Sequence, residues 1–392
     1  MLRVITAGES HGEALLAIVE GLPAGLRVRE EDINYELERR QKGYGRGARM
    51  RIESDKVKIL SGVRWGETIG SPVGLMIINK DYRNYSKLMS KLSKDLDLKQ
   101  IIHKPRPGHA DLVGMQKYMR TDVRDILERA SARETAIRVA VGALAKMLLN
   151  EYGIKVYSHV IQIGKVETKR ELDYKHIKWA VIEKSPLRCA DKKAEQKMIS
   201  LIKNALKTGD TLGGVFQIVV TGCPAGLGSH VSSDRKLDAR ISKSLISIQA
   251  VKGVEFGDGF SLASTPGSKA HDEIYYNKLK GFYRLTNRCG GFEGGITNGS
   301  ELVIQVIMKP IASLNNPLRT VDLKNLSVTK AEIVRSDVCA VPAAGVIGES
   351  AVSWEIARAL KEKFGGDSIK EMKSNFNNYE KMVKRLDFLP KH

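Results

Sequence analysis

The sequence is poor in cysteine. Four occur in 392 residues (Cys189, Cys223, Cys289 and Cys339), none within a C-x-x-C pair. That spacing excludes a disulfide framework and a thiolate zinc site, and it suits reduced thiols. No apolar run approaches the roughly 18 residues that cross a bilayer, so no membrane partner is expected. The first residues lack a basic segment followed by a long apolar stretch, so no leader is expected and the cytoplasm is the expected compartment. There is no G-x-x-x-x-G-K-[ST] loop, and no G-x-G-x-x-G opens a helix after the first strand, which excludes the familiar ATPase and dinucleotide sites. Carboxylates and histidines at metal-ligand spacing are also missing, so no metal is expected and a metal-dependent phosphatase has nothing to work with.

Acidic residues are scarce relative to basic ones: 45 against 64, a net charge of +19 and a pI near 9.6. Hydrophobic residues at 42% and charged residues at 28% are ordinary for a globular chain. The excess of cations attracts polyanions, either nucleic acid or multiply charged metabolites. Lysine-rich stretches at 87–99, 165–178, 192–207 and 360–385 read as solvated faces. The arginines are placed differently. Residues 39–51 hold five arginines and one lysine spaced by three glycines. Such a loop is open to three readings: a solvated loop, an RNA-binding Arg-Gly segment, or a clamp over a small anion through bidentate guanidinium forks.

The chain is organised around Gly8-Glu9-Ser10-His11-Gly12, a turn between two strand-like runs. A second turn, Arg106-Pro107-Gly108-His109-Ala110-Asp111, presents another histidine. Histidine titrates near neutrality, so either can carry a proton to a reaction. Residues Glu30 to Arg40 have helical spacing, 56–63 and 72–79 read as strands, and Ser131-Ala132-Arg133-Glu134 reads as a capping box before a helix ended by Gly153. Strands are expected at 154–164, Gly213–Thr221 and Leu302–Met308, a helix from about Asp234, and helices at about 348–364 and 368–386. Gly21-Leu22-Pro23-Ala24-Gly25-Leu26 is echoed by Gly222-Cys223-Pro224-Ala225-Gly226-Leu227, each after an apolar run, which hints at two similar halves of about 1–200 and 201–365 with a helical extension over 366–392.

In this order, Gly8–Gly12, Arg106–Asp111, Ser131–Thr135, Ala250-Val251-Lys252-Gly253-Val254-Glu255, Gly290–Gly299 and Arg335-Ser336-Asp337-Val338-Cys339 closely resemble the chorismate synthase family. The resemblance runs from about residue 3 to residue 360. It implies an α/β (α+β) fold in one domain, a β-α-β sandwich with helices packed between antiparallel sheets. It implies a carbon–oxygen lyase that converts 5-enolpyruvylshikimate 3-phosphate to chorismate by 1,4-anti elimination of phosphate. Reduced FMN is the implied cofactor, with no net redox change, and NADPH or an external donor is the reductant. A homotetramer is implied, without nucleic acid.

By the same resemblance His11 protonates the departing phosphate, His109 keeps the reduced flavin monoanionic, and Asp337 assists removal of the C6 proton. Ser10, Arg40, Arg46, Arg49, Arg106, Arg133 and Arg335 form the implied anion-binding set, with Arg40 and Arg46 also candidates for NADPH. Implied flavin contacts are Arg129, Ala130, Ser131, Gln249, Ala250, Gly294, Lys309, Pro310, Ile311, Ala312, Ser313 and Arg335. At 249 many relatives carry Asn, one methylene shorter than the Gln249 of this chain.

Overall fold

Alternating apolar residues build two antiparallel sheets, because residues two apart on a strand share a face. In the first sheet, β1 (Arg3–Ala7), β2 (Ala14–Glu20), β3 (Val57–Ile59) and β4 (Val73–Ile78) lie in the order β1-β2-β4-β3. In the second, β5 (Lys155–Ile163), β6 (Gly214–Thr221), β7 (Val251–Phe256) and β8 (Leu302–Met308) lie in the order β5-β6-β8-β7, with a two-residue strand, Val166–Glu167, beyond β5. The computed structural model describes residues 1–47, 54–168, 174–279, 281–334 and 336–389.

Between the sheets lie α1 (Glu30–Gln41), the helix Thr135–Asn150, the helix Leu237–Ile246 and the long helix Val341–Phe364. With α2 (Asp111–Tyr118) and α3 (Arg124–Ala130) preceding it, Thr135–Asn150 is α4. Lys192–Thr208 is then α5, Leu237–Ile246 α6, Val341–Phe364 α7 and Ile369–Lys384 α8. Helix α4 packs on α7 and on β2, α1 on α4, and α7 on α6, β5 and β6. Nearly every residue of α7 up to Ala357 is buried, as befits a helix enclosed on all sides. It begins at Val341, seven residues before the expected start, because Pro342 falls in its first turn, where the missing N–H costs nothing. The expected α+β sandwich is the one observed.

The echoed hexapeptides have the same hydrogen bonding. Thr68 donates through its hydroxyl to the Pro23 carbonyl (2.6 Å) and accepts from the Leu26 amide (3.0 Å). Thr297 does likewise with Pro224 (2.6 Å) and Leu227 (2.9 Å). A side chain on Gly21 would strike the Met1 carbonyl and one on Gly222 the Gly153 carbonyl, each at 2.4 Å, so both copies require glycine where the strand turns. The boundary expected near 200 falls inside α5, however, and β5 pairs with β6 throughout its length. The second set of strands therefore begins at Lys155, because register rather than the hexapeptide decides which sheet a strand joins. The segment after α7 fastens both copies. Ala24 exchanges backbone hydrogen bonds with Asp367 (2.8 Å) and Ile369 (2.9 Å), and the Tyr379 hydroxyl donates to the Ala225 carbonyl (3.1 Å).

One buried carboxylate ties the layers together. Glu349 on α7 is fully buried and accepts from Arg39 of α1 (2.7 and 3.0 Å), Lys146 of α4 (2.6 Å), and Arg188 (3.0 Å) and Ser158 (2.7 Å) beside and on β5. Burial alone would raise its carboxyl, but the charges of Arg39, Lys146 and Arg188 outweigh that and hold it far below the ordinary glutamate value. A depressed folded pKa gives stability that is full above about pH 4.5 and is lost as pH falls further. Glu349→Gln is expected to destabilise the fold by about 3–5 kcal/mol at neutral pH by stranding three cations. It should also flatten the acid limb of a urea-denaturation series by about 1.4 kcal/mol per pH unit, one proton's worth.

Candidate active site

Cations crowd one opening of the fold. A cavity of about 890 Å³ lies between the first turn, the N-terminal ends of α4 and α7 and the C-terminal end of α6. Both turns reach it. Ser10, His11, Arg106 and His109 line it, and so do Arg40, Arg46, Arg133 and Asp337. The expected flavin contacts Ala130, Ser131, Gln249, Ala250, Lys309, Ile311, Ala312 and Ser313 share the same wall. Its size is within the range of small-molecule sites.

The two histidines are built alike. The His11 Nδ1 lies 3.0 Å from both carboxylate oxygens of Glu128 on α3, and the His11 amide donates to Oε2 at 2.8 Å. Burial would raise the Glu128 carboxyl; hydrogen bonds and charge from His11, with Arg124 beyond, hold it below its ordinary value instead. The Tyr85 ring covers His11 at 4.1 Å between centroids. His109 Nδ1 lies 2.5 Å from Oδ1 of Asp111, a fully buried residue at the start of α2. The same carboxylate takes the Arg106 guanidinium in a fork (2.8 and 3.1 Å) and the Arg106 amide (3.0 Å). Burial works against ionising Asp111, yet His109 and Arg106 hold its carboxyl well below the usual range. A third Arg106 nitrogen donates to the Ser313 hydroxyl at 2.7 Å.

The remaining arginines are braced from behind. Asp55, buried, accepts from Arg133 (2.6 Å) and lies 3.6 Å from Arg40. Arg40 also donates to the Thr135 hydroxyl and the Ala132 carbonyl, each at 3.0 Å. Burial, with Arg46 and Arg133 nearby and only Asp55 and Asp337 opposing, pulls the Arg40 guanidinium down to about 10. An anion in the cavity would reverse that pull. Arg46 pairs with Asp337 (2.7 Å), whose other oxygen accepts from the Gly47 amide (2.6 Å). Arg40 Nη1 and Gln249 Oε1 are buried without a hydrogen-bond partner, while Gln249 Nε2 donates to Glu134 (2.9 Å).

Several expectations change. Ser131 does not close a capping box. Its hydroxyl accepts from the Arg133 amide (3.3 Å) in a 3₁₀ turn over Ala132–Glu134, and the Glu134 carboxylate is turned to Gln249 and Arg138. Arg129 is not brought to the cavity: its guanidinium donates to the carbonyls of Gly8 (2.9 Å) and Thr6 (3.1 Å), bracing the first turn. Gly294 lies in the turn between the short strands Phe292–Glu293 and Ile296–Thr297 and does not line the cavity, nor does Pro310. Arg49 and Arg335 lie outside the described residues. In the described part of the stretch that invited an RNA reading, Arg39 and Arg40 are buried and Arg46 is paired with Asp337.

Glu128, Asp55 and Asn79 were not singled out by the sequence. Asn79, at the end of β4, donates to the carbonyls of Glu9 (3.1 Å) and Gly12 (2.7 Å) and accepts from Arg133 (3.0 and 2.8 Å), so it couples the histidine turn to the arginine wall. No local pattern marks these residues, since their bonds to Arg133, Gly12 and His11 span 54 to 117 positions. Asn79→Ala is expected to cost about 1–3 kcal/mol in thermal or urea unfolding, because it leaves buried donors and acceptors unmet.

Comparison with known proteins agrees with this geometry. The chorismate synthase family pattern matches residues 2–360. The chorismate synthase of Endomicrobium trichonymphae is 55% identical over 386 residues, covering 98% of this chain and all of the relative. That of Geobacter sulfurreducens is 53% identical over 392 residues with the same coverage, and that of Geobacillus kaustophilus 51% over 389. A crystal structure of chorismate synthase superposes with a TM-score of 0.80 at 41% identity over 98% of both chains. Matched along nearly all its length in sequence and in three dimensions, the chain belongs to the chorismate synthase family.

Proposed function

We propose that the arginine-lined cavity is where this chain carries out the lyase reaction of its family, the 1,4-anti elimination of phosphate from 5-enolpyruvylshikimate 3-phosphate to give chorismate, with reduced FMN bound beside the substrate. The observation that carries this reading is the pairing of two carboxylate-held histidines with four arginines around one cavity. The substrate brings two carboxylates and a phosphate, and FMN another phosphate, so a site without cations would be prohibitively costly to fill. The buried Arg40 Nη1, a donor without a hydrogen bond, fits such a load. Reduced FMN supplies electron density transiently, with no net oxidation of the substrate.

The chain's own residues do the rest. Arg40, Arg46, Arg106 and Arg133 hold the anionic groups, with Arg49 and Arg335 as further members of the set. Ser10 stands beside His11, which gives a proton to the departing phosphate from Nε2. His109 would keep the reduced flavin monoanionic. Asp337, held by Arg46 and the Gly47 amide, serves the proton leaving C6. Ala130, Ser131, Gln249, Ala250, Lys309 and Ile311 to Ser313 would hold the flavin. Arg40 and Arg46 are the candidate NADPH contacts if the chain reduces its own flavin, an external donor being the alternative.

A cytoplasmic homotetramer completes the reading. Ile5, Leu16, Ile18 and Ile78 stand exposed together on the outer face of the first sheet, a surface suited to a second copy. Oxygen-free assays with 5-enolpyruvylshikimate 3-phosphate and chemically reduced FMN, followed by chorismate absorbance, test the activity; folded protein without turnover would overturn it. His11→Ala and His109→Ala are each expected to lose about 10²–10⁴-fold in kcat, the contribution of a positioned acid.

A further inference from the structure

Glu128 is 2% exposed and holds the first turn at several points. Its backbone carbonyl accepts from the Ser10 amide (3.0 Å), and its carboxylate takes both the His11 amide and the His11 ring. An ionised carboxylate can only accept, so Nδ1 must carry hydrogen and Nε2 is left as the atom that exchanges protons with the cavity. We propose that Glu128 is a positioning residue for His11: it fixes the ring's tautomer and direction and balances the ring's positive charge before the proton passes to the leaving phosphate. The inference rests on the reading of His11 as that acid.

The surroundings favour this assignment. Tyr85 closes the other face of the ring at 4.1 Å and 31°, so the imidazole is held in plane as well as by its edge. Arg124 Nη1 stands 3.5 Å from Oε1 of Glu128, close enough to keep the carboxylate ionised without displacing the ring. The other charged or titratable groups about the turn are Glu9 within it, Arg129 on the Gly8 carbonyl, Asp81 and Tyr85 after β4, and Arg133 across Asn79. Among the described residues only Glu128 hydrogen-bonds the ring. At His109 the Nδ1 meets Asp111 but also the Arg106 guanidinium (2.9 Å), a donor, so the carboxylate-only arrangement belongs to His11.

Glu128→Gln keeps the shape and a carbonyl acceptor and removes the charge. It is expected to lower kcat by about 10- to 100-fold with KM for 5-enolpyruvylshikimate 3-phosphate little changed, and to move the alkaline limb of the kcat profile to lower pH. In a His11→Ala background the same change should cost nothing further. Nitrogen-15 imidazole spectra of the flavin-free protein, assigned by the signal lost in His11→Ala, should show neutral His11 as the Nδ1–H tautomer, with a titration midpoint that falls in Glu128→Gln. Wild-type kcat in Glu128→Gln, an equal loss with and without His11, or an Nε2–H tautomer would each overturn the proposal. Should Glu128→Gln not fold, Glu128→Asp retains the charge and is expected to keep the wild-type pH profile at reduced kcat; a shifted profile overturns it. Full activity in His11→Ala would instead remove the acid role itself, a separate failure.

Discussion

Positive charge gathered at one buried surface repels itself, and the architecture of this protein follows from containing that repulsion. The arginines and histidines of the cavity each have an anion beside them: Asp55 for Arg133 and Arg40, Asp111 for Arg106 and His109, Glu128 for His11, and Asp337 for Arg46. The carboxylates are drawn from different segments, so the site exists only when the sheet, the α2–α3 region and the start of α7 are packed together. Away from the cavity, Glu349 uses the same device to hold three cations among the helices. The result is a wall whose donors are aimed in advance, the property that lets a site stabilise charge without rearranging during reaction.

This division of labour explains what could be read from the sequence. The outward half of each pair lies in a motif: His11, His109, Arg106 and Arg133 all stand beside glycine, proline or serine in short recognisable runs. The carboxylates divide. Asp111 and Asp337 lie in those same runs. Glu128 sits in an ordinary helix 117 residues from His11, and Asp55 is 78 residues from Arg133. Long-range pairing leaves no trace in periodicity, so Glu128 and Asp55 were not legible. Arg129 stands in the motif with Ser131, and its fork meets two carbonyls of the neighbouring turn.

The fold was legible where patterns repeat. Strand alternation and the twin hexapeptides pointed to two sheets of like construction, and the threonine clamps give the hexapeptides a shared physical basis. A hexapeptide marks only a turn, whereas β5, from Lys155 on, joins its sheet through a ladder of hydrogen bonds to β6.

The segment from Asp367 to Tyr379 grips Ala24 by its backbone and Ala225 by a single hydroxyl. It is synthesised after both halves, so during vectorial synthesis the two turns wait unlatched while the sheets and the central helices assemble. The clasp then closes over a body already formed. A chain released before this segment would keep its two sheets while leaving Ala24's amide and carbonyl to water, and its earliest weakness would be at the two loops, far from the arginines it was folded to hold.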